Sequence, residues 1–214
     1  MRTTGFLLGM LLCGTTLFGQ QKDWAGFDRY REANRTAKQD AEAVFMGNSI
    51  TEGWARMRPG FFADNGYISG QTSAEMLARF RPDVIELAPK AVVILAGTND
   101  IAQNNGPIEL ENVMDNIASM CELARLHNIR VLLCSVLPAA AFPWREGIKP
   151  ADSIIRLNAM IEAYARENGI EYVDYHSRMK DGRNGLPPEY SKDGVHPNPE
   201  GYRVMEGIIA SYLK

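Results

Sequence analysis

The sequence predicts a three-layer α/β/α fold in which a five-stranded parallel sheet, ordered 2-1-3-4-5, is covered by helices on both sides. Three observations lead there. Apolar runs and helix-period segments alternate about five times along the chain with short joins, the pattern of a parallel sheet with crossover helices. The clearest run, Ala91-Val92-Val93-Ile94-Leu95-Ala96, is continuously apolar rather than alternating, as expected where both faces of a strand are covered. At 214 residues and 45% hydrophobic, the chain has enough apolar material for one complete core and needs no linker.

The elements follow in order. Residues 1–20 carry a positive charge at Arg2, an apolar stretch from Phe6 to Leu17 and a small residue at Gly19, the pattern of a secretory signal too short to span a bilayer. The expectation is a signal peptide over 1–20 and a single domain over 21–214, exported to a periplasmic or secreted location with no stable membrane insertion. Lipid attachment through Cys13 is disfavoured because Leu12 is bulky where a small residue is expected. Over 23–39, Trp24, Phe27 and Tyr30 recur at a spacing of three among charges, which predicts an amphipathic helix able to cover its own sheet or pair with another chain.

A short buried strand at 43–46 then stops at Gly47 and delivers Ser49 into the start of a helix. A weaker strand runs through Tyr67 and Ile68 to Ser69-Gly70-Gln71-Thr72, and Thr72 or Ser73 caps a helix that Pro82 bends or divides. The strand 91–96 ends at Gly97-Thr98-Asn99-Asp100. Pro107 opens a helix with Leu110, Val113, Ile117 and Cys121 inward, and 129–136 forms another buried strand. After a loop with Phe142, Pro143 and Trp144, a helix at 152–168 ends on Gly169, and 170–174 is the last strand. Asn198 caps and Pro199 opens the final helix.

Net charge is -3 with both signs interspersed, which argues against a nucleic-acid or anionic membrane partner. Cys121 and Cys134 fall on an apolar helix face and inside a strand, where thiols act as small core residues. His127 and His176 have no ligand-type neighbours at metal-binding spacing, so neither a metal nor a cofactor is expected.

In an open α/β sheet, ligands bind outside the carboxyl ends of the strands. Three loops there carry small or polar residues: Gly47-Asn48-Ser49, Ser69-Gly70 and Gly97-Thr98-Asn99-Asp100. Asp193 and His196 lie near the C-terminus, about twenty residues beyond the last strand. At roughly 3.3 Å per residue that loop easily crosses the roughly 15 Å back to the first strand. A hydroxyl, an imidazole, a carboxylate and oxyanion donors are therefore all available for acyl transfer. Each has a plainer reading as well: Ser49 as a helix cap, Asn99 as a turn former, Gly70 as a positive-φ residue, Asp100 as structural.

The blocks Gly47-Asn48-Ser49-Ile50-Thr51, Ile68-Ser69-Gly70-Gln71, Gly97-Thr98-Asn99-Asp100 and Asp193-Gly194-Val195-His196-Pro197, taken in this order, resemble the GDSL/SGNH hydrolase family. The chain is similar to its small single-domain esterases, such as platelet-activating-factor acetylhydrolase subunits, and the likeness spans nearly all of the mature chain. The resemblance implies a flavodoxin-like sheet, Ser49 as nucleophile, His196 as base and Asp193 as the group orienting it. It also implies an oxyanion hole from the N–H groups of Ser49 and Gly70 and the side-chain amide of Asn99. One departure is visible: the family usually has Asp where this chain has Asn48.

Asn48, Phe142 and Trp144 are candidates for the substrate pocket, with plain packing the alternative for the two aromatics. The expected reaction is ester hydrolysis through an acyl-enzyme, on a small-molecule or glycan ester with short acyl groups such as O-acetyl. A lysophospholipase or thioesterase of the same fold, and a binding protein without turnover, are the competing readings.

Overall fold

A computed structural model describes residues 23–36, 41–61 and 70–213. Strands β1 (Val44–Met46), β2 (Ala91–Ile94), β3 (Arg130–Cys134) and β4 (Glu171–Val173) form one parallel sheet in the order β1-β2-β3-β4. Among the described residues the sheet thus has four strands rather than the five expected. The expected strand through Tyr67 and Ile68 lies outside the described residues. The others adjoin as predicted, with Met46 opposite Ile94 and Leu132 opposite Glu171. Because β1 and β2 end level, the segments 47–49 and 97–99 leave the same edge of the sheet side by side.

The helices are α1 (Arg31–Thr36), α2 (Ser49–Met57), α3 (Ser73–Phe80), α4 (Thr98–Ile101), α5 (Leu110–Leu126), α6 (Ala151–Asn168), α7 (His176–Met179) and α8 (Pro199–Ile209). Successive strand residues point to opposite faces, so each strand feeds two cores. Val44, Met46, Val92, Ile94, Val131 and Leu133 pack with Phe80 of α3, Ile117 of α5 and Leu157 of α6. Phe45, Val93, Leu132 and Val173 pack on the other face with Trp54 of α2 and with Tyr202 and Met205 of α8. This double burial explains the unbroken apolar runs of the central strands.

Local chemistry sets the ends. Gly169 closes α6 at φ 63°, and Asn198 caps α8 by accepting from the N–H groups of Glu200 (2.9 Å) and Gly201 (3.0 Å). Pro82 does interrupt its helix: residues Arg81–Ile85 widen into a π turn, with the Glu86 N–H reaching back to the Arg81 carbonyl at 3.0 Å.

Two expectations need correction. The stretch around Trp24, Phe27 and Tyr30 is a series of turns, since the Asp23 carboxylate takes the N–H groups of Phe27 (3.0 Å) and Asp28 (2.8 Å) and Gly26 adopts φ 71°. Among the described residues of this stretch only the six of α1 are helical, and none of them is buried. Pro107 does not open α5, which starts three residues later with Glu109 as its N-cap.

A buried ion pair ties these N-terminal turns to the body. Arg79 in α3, 0% exposed, donates to Asp83 at 2.5 Å and to Gln71 Oε1, and its guanidinium lies 5.7 Å from the Tyr30 ring centroid. Asp83 also accepts from Asn34 (2.6 Å), and the Gln71 side chain donates to the Ala25 carbonyl. Burial pushes the Arg79 pKa down, against the bond and charge of Asp83 that support the cation. Cys121 and Cys134 are both buried and free, and burial pushes the Cys121 thiol up to about 12.

Candidate active site

The site grows from the end of β1. After Gly47 the chain turns into α2, and Asn48 is its N-cap, accepting from the Ile50 N–H at 2.9 Å. Ser49 is therefore the first helical residue, where a backbone N–H has no partner inside the helix. The cap takes the N–H one position further on, so the two do not compete. The Ser49 hydroxyl lies 2.9 Å from His196 Nε2.

His196 is brought there by α8. The Tyr202 hydroxyl donates to the Ile50 carbonyl at 2.7 Å, and Arg58 of the α2 C-cap makes a two-pronged contact with Glu206 at 2.9 and 2.8 Å. These bonds fasten the last helix to the turn that carries Ser49. Just before α8, Asp193 organises a tight loop: its Oδ1 accepts from the N–H groups of Val195 (2.9 Å) and His196 (2.8 Å), while its Oδ2 lies 2.7 Å from His196 Nδ1.

A carboxylate can only accept, so it selects the imidazole tautomer with the proton on Nδ1 and leaves Nε2 to accept from Ser49. Partial burial pushes the Asp193 pKa up, but the bonds from the His196 ring and the His196 and Val195 backbone outweigh it and lower the value from 3.8 to about 2. Asp193 is thus ionised throughout the neutral range.

The third corner comes from β2 and the start of α3. Gly97 leaves β2 at φ 119°, and a Cβ there would meet Leu157 Cδ2 at 2.6 Å, so only glycine fits this turn. Asn99 follows, almost fully buried, donating from Nδ2 to the Gln71 carbonyl at 2.8 Å. Its neighbour Asp100 is structural: the buried carboxylate holds the Ser73 N–H at 3.0 Å and the Ser73 hydroxyl at 2.6 Å, pinning the first turn of α3 to this loop. Gly70, next to Gln71, adopts φ 80° with open space where a Cβ would stand, so its constraint is conformational rather than steric.

Ser49, His196 and Asp193 are joined by direct contacts, and Gly70 neighbours the residue whose carbonyl holds Asn99. A hydroxyl, a correctly tautomeric imidazole and an ionised carboxylate in series can deliver an activated serine oxygen.

A model of the GDSL-like lipase/acylhydrolase family matches residues 45–204 of the chain. The chain belongs to this family. It is a carboxylic ester hydrolase. A GDSL-like lipase from Bacteroides thetaiotaomicron superposes with a TM-score of 0.84 and 51% identity, covering 88% of this chain and 97% of its own. The esterase TesA of Pseudomonas aeruginosa is 28% identical over 166 residues, 74% of this chain and 76% of its own. An acetylxylan esterase of Xylanibacter ruminicola is 27% identical over 219 residues, 83% of this chain but 44% of that longer protein.

The three pocket candidates of this GDSL hydrolase part company. Asn48 is 1% exposed and engaged as a cap, and Phe142 is 2% exposed and belongs to the core, so neither offers surface to a ligand. Asp caps a helix as well as Asn does, so Asn48 keeps the capping role and removes only a charge beside Ser49. Trp144 is 40% exposed, stacked on Phe142 at 5.2 Å, with its ring centroid 5.8 Å from that of His196.

Sequence reasoning missed Gln71 and Asn104 of this GDSL hydrolase. Asn104 donates to Asn99 Oδ1 at 2.8 Å and accepts from Trp144 Nε1 at 3.1 Å. In sequence Asn104 stands before Asn105-Gly106-Pro107 and reads as turn chemistry alone. Gln71 acts through its backbone carbonyl, which no side-chain pattern reveals.

Proposed function

We propose that this hydrolase cleaves esters through an acyl-enzyme on Ser49, and that its substrates carry short acyl groups such as O-acetyl on carbohydrate. The observation that carries the reading is the 2.9 Å contact between Ser49 Oγ and His196 Nε2, with Asp193 Oδ2 2.7 Å behind the ring.

As Ser49 Oγ attacks the ester carbonyl carbon, His196 Nε2 takes its proton, and Asp193 stabilises the resulting imidazolium. The oxyanion is received by the Ser49 N–H at the start of α2, the Gly70 N–H and Asn99 Nδ2. Collapse expels the alcohol, which collects the proton from His196. Water, deprotonated by the same imidazole, then releases the carboxylic acid and restores Ser49.

Two features favour a small acyl group on a sugar. His196 is about one-third exposed with the indole of Trp144 beside it, a flat apolar wall of the kind that suits a carbohydrate ring. The relative from Xylanibacter ruminicola is an acetylxylan esterase. The secretory pattern of residues 1–20 is in keeping with an exported enzyme acting on glycan esters.

A panel of acetylated sugars, aryl esters of graded chain length and lysophospholipids tests this. The expected result is the highest kcat/KM on acetyl esters, falling at least about tenfold by the eight-carbon acyl group. A maximum at long chains would replace the proposal with a lysophospholipase or thioesterase.

A further inference from the structure

We infer that Asn104 and Trp144 are positioning residues that set which end of the Asn99 amide faces the oxyanion. The inference rests on the reading of Asn99 as an oxyanion donor. An asparagine can serve that role only if its nitrogen, not its oxygen, points at the developing charge. Rotation by half a turn about the last side-chain bond exchanges the two, and that torsion has little intrinsic preference.

What removes the ambiguity is a chain of hydrogen bonds with a fixed direction. At one end the Trp144 indole N–H can only donate, and it donates to Asn104 Oδ1 at 3.1 Å. Asn104 must then turn its nitrogen the other way, where Nδ2 donates to Asn99 Oδ1 at 2.8 Å. Asn99 must in turn present Nδ2 to the Gln71 carbonyl at 2.8 Å, and a peptide carbonyl can only accept. A donor-only group and an acceptor-only group thus close the series, and flipping either amide opposes oxygen to oxygen and N–H to N–H. One proton of Asn99 Nδ2 is held by Gln71, and the second remains for the oxyanion.

The frame around the series is firm. The Asn104 N–H donates to the Asn99 carbonyl at 3.0 Å, and Arg145 donates to the Gln103 carbonyl at 3.2 Å, joining the Trp144 loop to the loop after α4. Stacking on the buried Phe142 fixes the direction of the indole.

The test uses the full chain and four variants, Asn99→Ala, Asn104→Ala, Asn104→Asp and Trp144→Phe, with kcat and KM on one short-chain ester and melting curves to establish folding. Asn99→Ala should lower kcat at least about a hundredfold. Trp144→Phe removes the N–H together with one of the two fused rings while keeping an aromatic ring beside Phe142, and should lower kcat roughly fivefold.

The decisive comparison is at Asn104. Aspartate is nearly isosteric, so a space-filling role predicts that Asn104→Asp is milder than Asn104→Ala. The polarity series predicts the reverse, because a carboxylate beside Asn99 Oδ1 draws the amide into the flipped orientation. Asn104→Asp should lose about tenfold more kcat than Asn104→Ala, and neither change should add to the loss in an Asn99→Ala background.

If Asn99→Ala is slow while Asn104→Asp and Trp144→Phe match the unaltered enzyme, or if the losses add, the inference is overturned and the oxyanion reading stands. If Asn99→Ala itself turns over normally, the oxyanion reading falls and this inference falls with it.

Discussion

Ser49→Ala is expected to lower kcat on a short-chain aryl ester by about five to six orders of magnitude while leaving the melting temperature nearly unchanged. The size of the effect follows from the series in which Ser49 stands. Without the hydroxyl, His196 has no nucleophile to deprotonate, and only the oxyanion donors and substrate binding remain. The fold should be spared because Asn48, not Ser49, caps α2, and alanine is a good first helical residue. His196→Ala should be about as severe, and the double variant Ser49→Ala/His196→Ala should be little worse than either alone. Losses that multiply in the double variant would mean that the two side chains act independently, contrary to their 2.9 Å contact.

The largest effect on stability is expected at Arg79. Arg79→Ala leaves Asp83, itself 2% exposed, as a buried charge without its cation, and removes the donor that Gln71 Oε1 accepts from. Loss of one partner of a buried pair costs about 3–5 kcal/mol, which for a chain of this size lowers the melting temperature by roughly 10 °C. Replacing both partners with apolar residues of similar volume, as in Arg79→Met/Asp83→Leu, should recover most of that loss, because the penalty lies in the orphaned charge. A drop below about 1 kcal/mol for Arg79→Ala in thermal unfolding would contradict this account. Because Gln71 also supplies the carbonyl that holds Asn99, Arg79→Ala should weaken activity in the fraction that stays folded.

The course of the sheet and the site is legible in the sequence where chemistry is local. Ser49 at a strand end, the Asp193 to His196 spacing and the Asn198-Pro199 helix start each depend on residues within four positions of one another, and each stands where it was expected. Long apolar runs identify the central strands because burial on both faces leaves no position for a polar side chain.

The failures share a cause as well. The spacing of Trp24, Phe27 and Tyr30 imitates a helix, yet Asp23 and Gly26 turn the backbone before one can form. Arg79 looks like any surface arginine on an amphipathic helix, and its burial is accompanied by Asp83 one turn on and by Gln71 and Tyr30 from other segments. Asn104 acquires its place from Trp144, forty positions away. Phe142 illustrates the opposite error: a loop aromatic at a strand's carboxyl end suggests a pocket wall, but the side chain turns into the core and supports Trp144 from behind.

The central claim is that Ser49 is the nucleophile activated by His196. Its most direct test is covalent labelling with an organophosphonate ester, followed by mass spectrometry of the digested protein. The account predicts one equivalent incorporated on Ser49 with complete loss of esterase activity, none in Ser49→Ala, and labelling slowed by orders of magnitude in His196→Ala. Full activity after exhaustive treatment, or the label on a different residue, would contradict it.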